Sequence, residues 1–125
     1  MTQQRAVIRR SADVPAAPVH HARAATIQVL LGPDEGVTGF VMRRFTIEPG
    51  GRIPAHRHDA IEHEQLVLEG EMVVSLDGRE ETVRTGDCVF IPVDVVHWYE
   101  NRKKAPVRFI CIVPRTETYR TEWLE

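Results

Sequence analysis

The sequence predicts an all-β domain, a sandwich or a closed barrel, on three observations. Apolar residues nowhere recur with the 3.6-residue period of a buried helix face. What recurs is short runs in which apolar or β-branched residues alternate with polar ones. Between the runs lie Gly, Pro and Asp clusters that make turns, at the close spacing of an antiparallel all-β fold.

Taken in order, residues 10–23 are rich in Ala and Pro, include His20 and His21, and read as an arm or loop whose histidines are solvated. Ala24–Leu31 and Gly39–Ile47 are the first predicted strands. Glu48-Pro49-Gly50-Gly51 breaks the second, and Ile53–His56 follows as a separate strand. His63–Glu69 alternates cleanly, with His63, Gln65 and Val67 on one face and Leu66 and Leu68 on the other. Glu71–Leu76 and Glu80–Val83 flank Asp77-Gly78, the pair favoured where a type I′ hairpin turn needs positive φ twice. Thr85-Gly86-Asp87 turns the chain into Cys88–Ile91. His97–Glu100 and Val107–Val113 complete the set, and residues 114–125 read as a short turn or a second arm.

A chain of 125 residues and 14.2 kDa suffices for one domain, 1–125, with an N-terminal arm 1–23 and a C-terminal extension 114–125. Hydrophobic residues at 42% and charged residues at 27% exclude a disordered tail. A net charge of −2 gives no bulk basic field, so neither nucleic acid nor an anionic membrane is expected as a partner. The basic turn Asn101-Arg-Lys-Lys104 has no interleaved aromatics and reads as a solvated loop. No apolar run approaches the ~20 residues of a membrane span, and the opening segment lacks the apolar core of a secretory signal. Cys88 and Cys111 are too few for a disulfide scaffold. A cytoplasmic location is the expectation.

Four of the six histidines form a pattern. His56 and His58 lie two apart, which in a strand puts both rings on one face about 6.6 Å apart along the chain. His63 opens the next strand and His97 a much later one, and a closed barrel can bring all of them inward. Burying several imidazoles without a common partner would leave ring nitrogens unpaired at about 1–3 kcal/mol each. A bound metal removes that cost.

The spacing adds a second argument. Gly50 is followed by five residues and then His56-Arg57-His58; four residues on comes His63, and six further on Gly70. Gly86 precedes Pro92 by five residues, then His97 after four more and Asn101 after three. These stretches resemble the two signature motifs of the cupin superfamily. The run Phe40–Gly51, with Glu62-His63-Glu64 and Val67-Leu-Glu-Gly70, resembles the small single-domain bacterial cupins that hold manganese through four histidines, and is also similar to four-histidine polyketide cyclases. The resemblance implies a cupin (double-stranded β-helix, jelly-roll) barrel and a divalent metal held by His56, His58, His63 and His97. Manganese leads by the resemblance; iron, zinc and nickel also suit imidazole. Two positions depart from the common pattern. His63 stands where most cupins place a glutamate, and Asp94 stands where a glycine is usual, a turn Asp tolerates better than most residues. Glu62 is the rival ligand, disfavoured by its spacing to Gly70 and by strand parity.

The resemblance also places Phe45, Ile53, Phe109 and Cys111 along a substrate pocket. If Phe45 points inward, so does Arg43, a candidate to orient an anion, and Arg44 points out. Gln65 shares the face of His63, and Tyr99, a candidate proton donor, shares that of His97. Four neutral imidazoles leave a metal's charge uncompensated, which favours an anionic, oxygen-rich small-molecule substrate. The leading expectation is dioxygenase-type oxidative cleavage. The alternatives are redox-neutral lyase, isomerase or polyketide-cyclase chemistry, or a non-enzymatic binding module. Leu66 and Leu68, facing away from the histidines, predict a second cover, expected to be another subunit of a two-fold homodimer crossed by the N-terminal arm.

Overall fold

The computed structural model describes residues 4–125; the first three residues of the predicted arm lie outside the described residues. The described residues form ten strands and two single-turn 3₁₀ helices, Ser11–Asp13 and Pro33–Glu35. The strands are β1 (Ala17–Pro18), β2 (Arg23–Leu31), β3 (Phe40–His58), β4 (His63–Glu69), β5 (Glu71–Leu76), β6 (Arg79–Arg84), β7 (Cys88–Ile91), β8 (His97–Glu100), β9 (Val107–Pro114) and β10 (Thr121–Trp123). They join one antiparallel sheet in the order β6-β5-β8-β3-β9-β4-β7, with β2 and β10 added on β3 and β1 on β2. The sheet curls on itself in the manner of a jelly roll, as expected from the sequence. No helix among the described residues is long and apolar enough to cross a membrane.

The long strand β3 organises the molecule. Sequence reading separates it at Glu48–Gly51, yet the backbone stays paired through that bend: Asn101 O accepts from Gly50 N–H, and Gly51 O from Asn101 N–H, both at 3.0 Å. Gly50 has φ +77°, and a Cβ on Gly51 would come within 2.7 Å of Ala24 O. Glycine therefore lets the strand turn a corner without ending. Before the corner β3 pairs with β2 and β9; beyond it, with β8 and β10, and with β2 only at Arg52, opposite Arg23. The register with β8 slips between Ile53 and His56. This bulge turns Ile53, His56 and His58 to one interior although their numbers differ in parity.

The core follows the alternation. Ile47, Val67, Ile91, Val107 and Phe109 are at most 1% exposed. In β4, His63, Gln65 and Val67 are buried while Leu66 and Leu68 are about 40% exposed. Asp77 (φ 53°) and Gly78 (φ 85°) make the hairpin between β5 and β6. Asp94 carries φ 67°, and its N–H donates to His58 O at 2.8 Å.

Both terminal segments fold onto their own barrel. The Gln28 amide donates to Ser11 O and Val14 O at 2.9 and 2.8 Å, tying the first helical turn to β2. Within the N-terminal segment, β1 pairs with β2. The C-terminal segment, read as a turn or arm, becomes β10 because Tyr119, Thr121 and Trp123 alternate as a strand requires and its backbone finds the free edge of β3.

Candidate metal centre

The inward faces of β3, β4 and β8 bring the four histidines together. His56 and His97 are direct cross-strand partners, with ring centroids 4.2 Å apart. His58 lies 5.0 Å from His56 and 5.8 Å from His97. His56, His58 and His97 offer ligand nitrogens that all lie within 4.8 Å of one another. His63 is outside that group of three, with its ring 5.0 Å from His58 and 5.2 Å from His97. Glu62, just before β4, is exposed, whereas His63 is buried.

The ring tautomers follow from their neighbours. His56 Nδ1 lies 2.7 Å from Pro54 O, and His97 Nδ1 lies 2.9 Å from Val95 O. A carbonyl can only accept, so each Nδ1 carries the proton and each Nε2 keeps a lone pair. His58 Nδ1 is 2.9 Å from Thr121 Oγ1. The buried His97 Nε2 and His63 Nδ1 have no hydrogen-bond partner among the described residues. All four rings are held neutral. Burial is the main cause, pushing His58 down to about 4, His97 to about 3 and His63 to about 2, and lowering His56; neighbouring histidines and Arg43 add to the effect. Converging neutral imidazoles, with free lone pairs and orphaned buried nitrogens, fit a divalent cation. His56, His58 and His97 are the residues placed to hold it.

The histidines border a cavity of about 210 Å³. Arg43 and Phe45 line it from β3, while Arg44 turns outward and donates to Gln28 Oε1 at 2.8 Å. Arg43 Nη2 is 3.1 Å from Cys111 Sγ, and its buried Nε has no partner among the described residues. Gln65 donates to Tyr99 Oη at 2.7 Å and leaves its own Oε1 unpaired. Tyr99 is buried, which raises its pKa and keeps the phenol protonated, Cys111 adding to the effect. Phe109 stacks between Phe45 and Tyr99 at 5.2 Å from each, forming an aromatic wall. Ile53 and Cys111 complete the interior lining.

The mouth of the cavity is built from residues that sequence reading did not single out for the site. Tyr119, Thr121 and Trp123 line it from the C-terminal segment, and Pro18, Val19 and His20 from the N-terminal one. The ring of Trp123 lies 4.7 Å from His56 and stacks on His21 at 4.5 Å. The signal was present in the alternation Tyr119-Arg-Thr-Glu-Trp123, an aromatic or hydroxyl residue at every second position. For Pro18 to His20 no comparable periodicity exists.

Comparison with known proteins gives the same architecture. Protein SchB of Streptomyces halstedii is 33% identical over 88% of this chain and 78% of its own. Polyketide synthase CurC of Streptomyces cyaneus is 32% identical over 74% of this chain and 60% of its own. The structure of the polyketide cyclase RemF from Streptomyces resistomycificus superposes with a TM-score of 0.86 at 31% identity, covering 97% of this chain and 88% of that one. A cupin domain is matched over residues 43–113, which contain all four clustered histidines, and the chain belongs to the cupin family.

Proposed function

We propose that this protein is a redox-neutral cyclase acting on a poly-β-carbonyl chain, with a divalent metal held by His56, His58 and His97 and joined by His63. The observation that carries the reading is the similarity to the polyketide cyclase RemF over 97% of the chain. It favours the redox-neutral alternative over oxidative cleavage. Manganese is the ion suggested by the four-histidine pattern; zinc, iron and nickel suit the same donors.

In such a reaction a methylene flanked by carbonyls loses a proton and its carbon attacks a second carbonyl of the same chain. A carbon–carbon bond forms, the attacked oxygen takes up a proton, and water leaves as the ring becomes aromatic. Atoms balance without an oxidant. The Tyr99 phenol, kept protonated by burial and held in place by the Gln65 amide, donates to the carbonyl oxygen as it gains charge. The free Nε–H of Arg43 binds an enolate or carboxylate oxygen. The Phe45–Phe109–Tyr99 wall flattens the forming ring by stacking. A bound divalent cation supplies Lewis-acid polarisation of a substrate oxygen.

The test combines elemental analysis of the purified protein with turnover of a short triketone. We expect stoichiometric divalent metal and a product lighter by one water, with no oxygen consumed. His58→Ala loses metal and activity. Tyr99→Phe keeps the metal and lowers kcat by about 10²-fold. Oxygen uptake matching turnover would overturn the cyclase reading.

We also propose a two-fold homodimer closed through the outer face of β4, β7 and β9. Leu66, Leu68 and Phe90 are 40–56% exposed there, next to the half-buried Ile110 and Ile112. A patch of this kind across antiparallel strands can meet its own copy about a two-fold axis.

A further inference from the structure

We propose that the C-terminal strand β10 is part of the metal centre, with Thr121 acting as the positioning residue that holds the His58 ring through its Nδ1. The proposal rests on the reading of the histidine cluster as a metal site.

The three clustered histidines are not supported alike. His56 and His97 each give their Nδ1 proton to a carbonyl two residues earlier on the same stretch of chain, Pro54 O and Val95 O. Those partners are local, and their chemistry permits one tautomer only. His58 has no such carbonyl. Its Nδ1 meets the Thr121 hydroxyl at 2.9 Å, across 63 positions of sequence. A hydroxyl can serve either tautomer, so with a cation on Nε2 it accepts the Nδ1 proton and fixes the plane of the ring; without it that N–H has no partner and the ring is free to turn.

The strand that delivers Thr121 is anchored in place. Thr121 pairs in register with His58, and Trp123 with His56, so each residue sits opposite a ring of the cluster. On the outer face, Arg57 donates twice to Glu122 Oε2, at 2.8 and 3.0 Å. The Glu125 carboxylate accepts from Arg52 at 2.7 Å and from Ala55 N–H at 3.0 Å. Asp59 accepts from Arg120 N–H at 2.7 Å. The anchors lie at both ends of β10 and along its outer side, which leaves the inner side to Thr121 and Trp123.

The experiment uses the full chain and manganese(II) as the probe. Thr121→Val keeps the shape and removes the hydroxyl; Thr121→Ser keeps the hydroxyl. By calorimetric titration, Thr121→Val should weaken manganese binding by about 10- to 100-fold, while Thr121→Ser stays within a few-fold of wild type. Proton–nitrogen spectra of the zinc-loaded proteins provide an independent readout. The His58 Nδ1–H proton should be visible and slow to exchange in wild type and in Thr121→Ser, and lost to fast exchange in Thr121→Val. Circular dichroism melts of the metal-free forms identify any loss of folding. Unchanged affinity in Thr121→Val, or an equally slow His58 Nδ1–H in that variant, overturns the role of Thr121. Wild-type protein that binds no manganese, zinc or iron overturns the metal reading itself, and the proposal falls with it.

Discussion

Each clustered histidine is neutral because it is buried, and that carries a pH signature. An unfolded histidine titrates near 6.5, whereas folded His58 titrates near 4, His97 near 3 and His63 near 2. Below about pH 6.5 the unfolded chain therefore binds protons that the folded one refuses, and stability falls as the pH falls. Each fully withheld proton contributes a slope of about 1.4 kcal/mol per pH unit. His58 stops adding to the slope near pH 4, the other two at lower pH still. Urea melts of the metal-free protein should show a constant midpoint above pH 6.5 and a falling one between 6.5 and 5. A midpoint flat down to pH 5 would mean that the rings accept protons in place. The polar floor was partly legible at this scale, since strand parity alone links Arg43 to Phe45 and Gln65 to His63. The tautomers of His56 and His97 were not, because they depend on carbonyls whose positions only the fold fixes.

At the scale of elements, the corner in β3 decides whether Ile53, His56 and His58 face the cavity. Gly50 and Gly51 bear on it differently. A methyl on Gly50 meets nothing within 4 Å and suffers only its positive φ, a strain of about 1–2 kcal/mol. A methyl on Gly51 meets Ala24 O, Ile47 Cγ2 and Glu48 O at 2.7–2.8 Å. Two of those are backbone atoms that cannot swing away. Gly51→Ala should therefore destabilise by about 3 kcal/mol or more, clearly beyond Gly50→Ala, as read from urea midpoints. Equal losses would mean that the corner relaxes freely. The sequence marked this corner as a break because Pro and Gly end most strands. That the chain remains paired through it depends on Asn101, half the chain away, and no local pattern reports such a contact. β10 escaped notice for a related reason: three residues of alternation are too few to separate a strand from a loop until the free edge of β3 is seen.

For the whole molecule, the outer face of β4 and β7 bears on assembly. Sedimentation at micromolar concentration should give a species of twice 14.2 kDa. Phe90→Glu should yield monomer with little loss of melting temperature, because that side chain is 56% exposed and outside the core. Wild-type protein sedimenting as a monomer would remove the dimer. The matched cupin region, residues 43–113, stops short of the segments that frame the cavity mouth, Pro18 to His21 on one side and Tyr119 to Trp123 on the other. The segments outside the matched region thus shape the opening without supplying a histidine of the cluster. Val19 and Trp123 also pack against the main core, so a substitution at either should change the width of the opening and the stability of the barrel together.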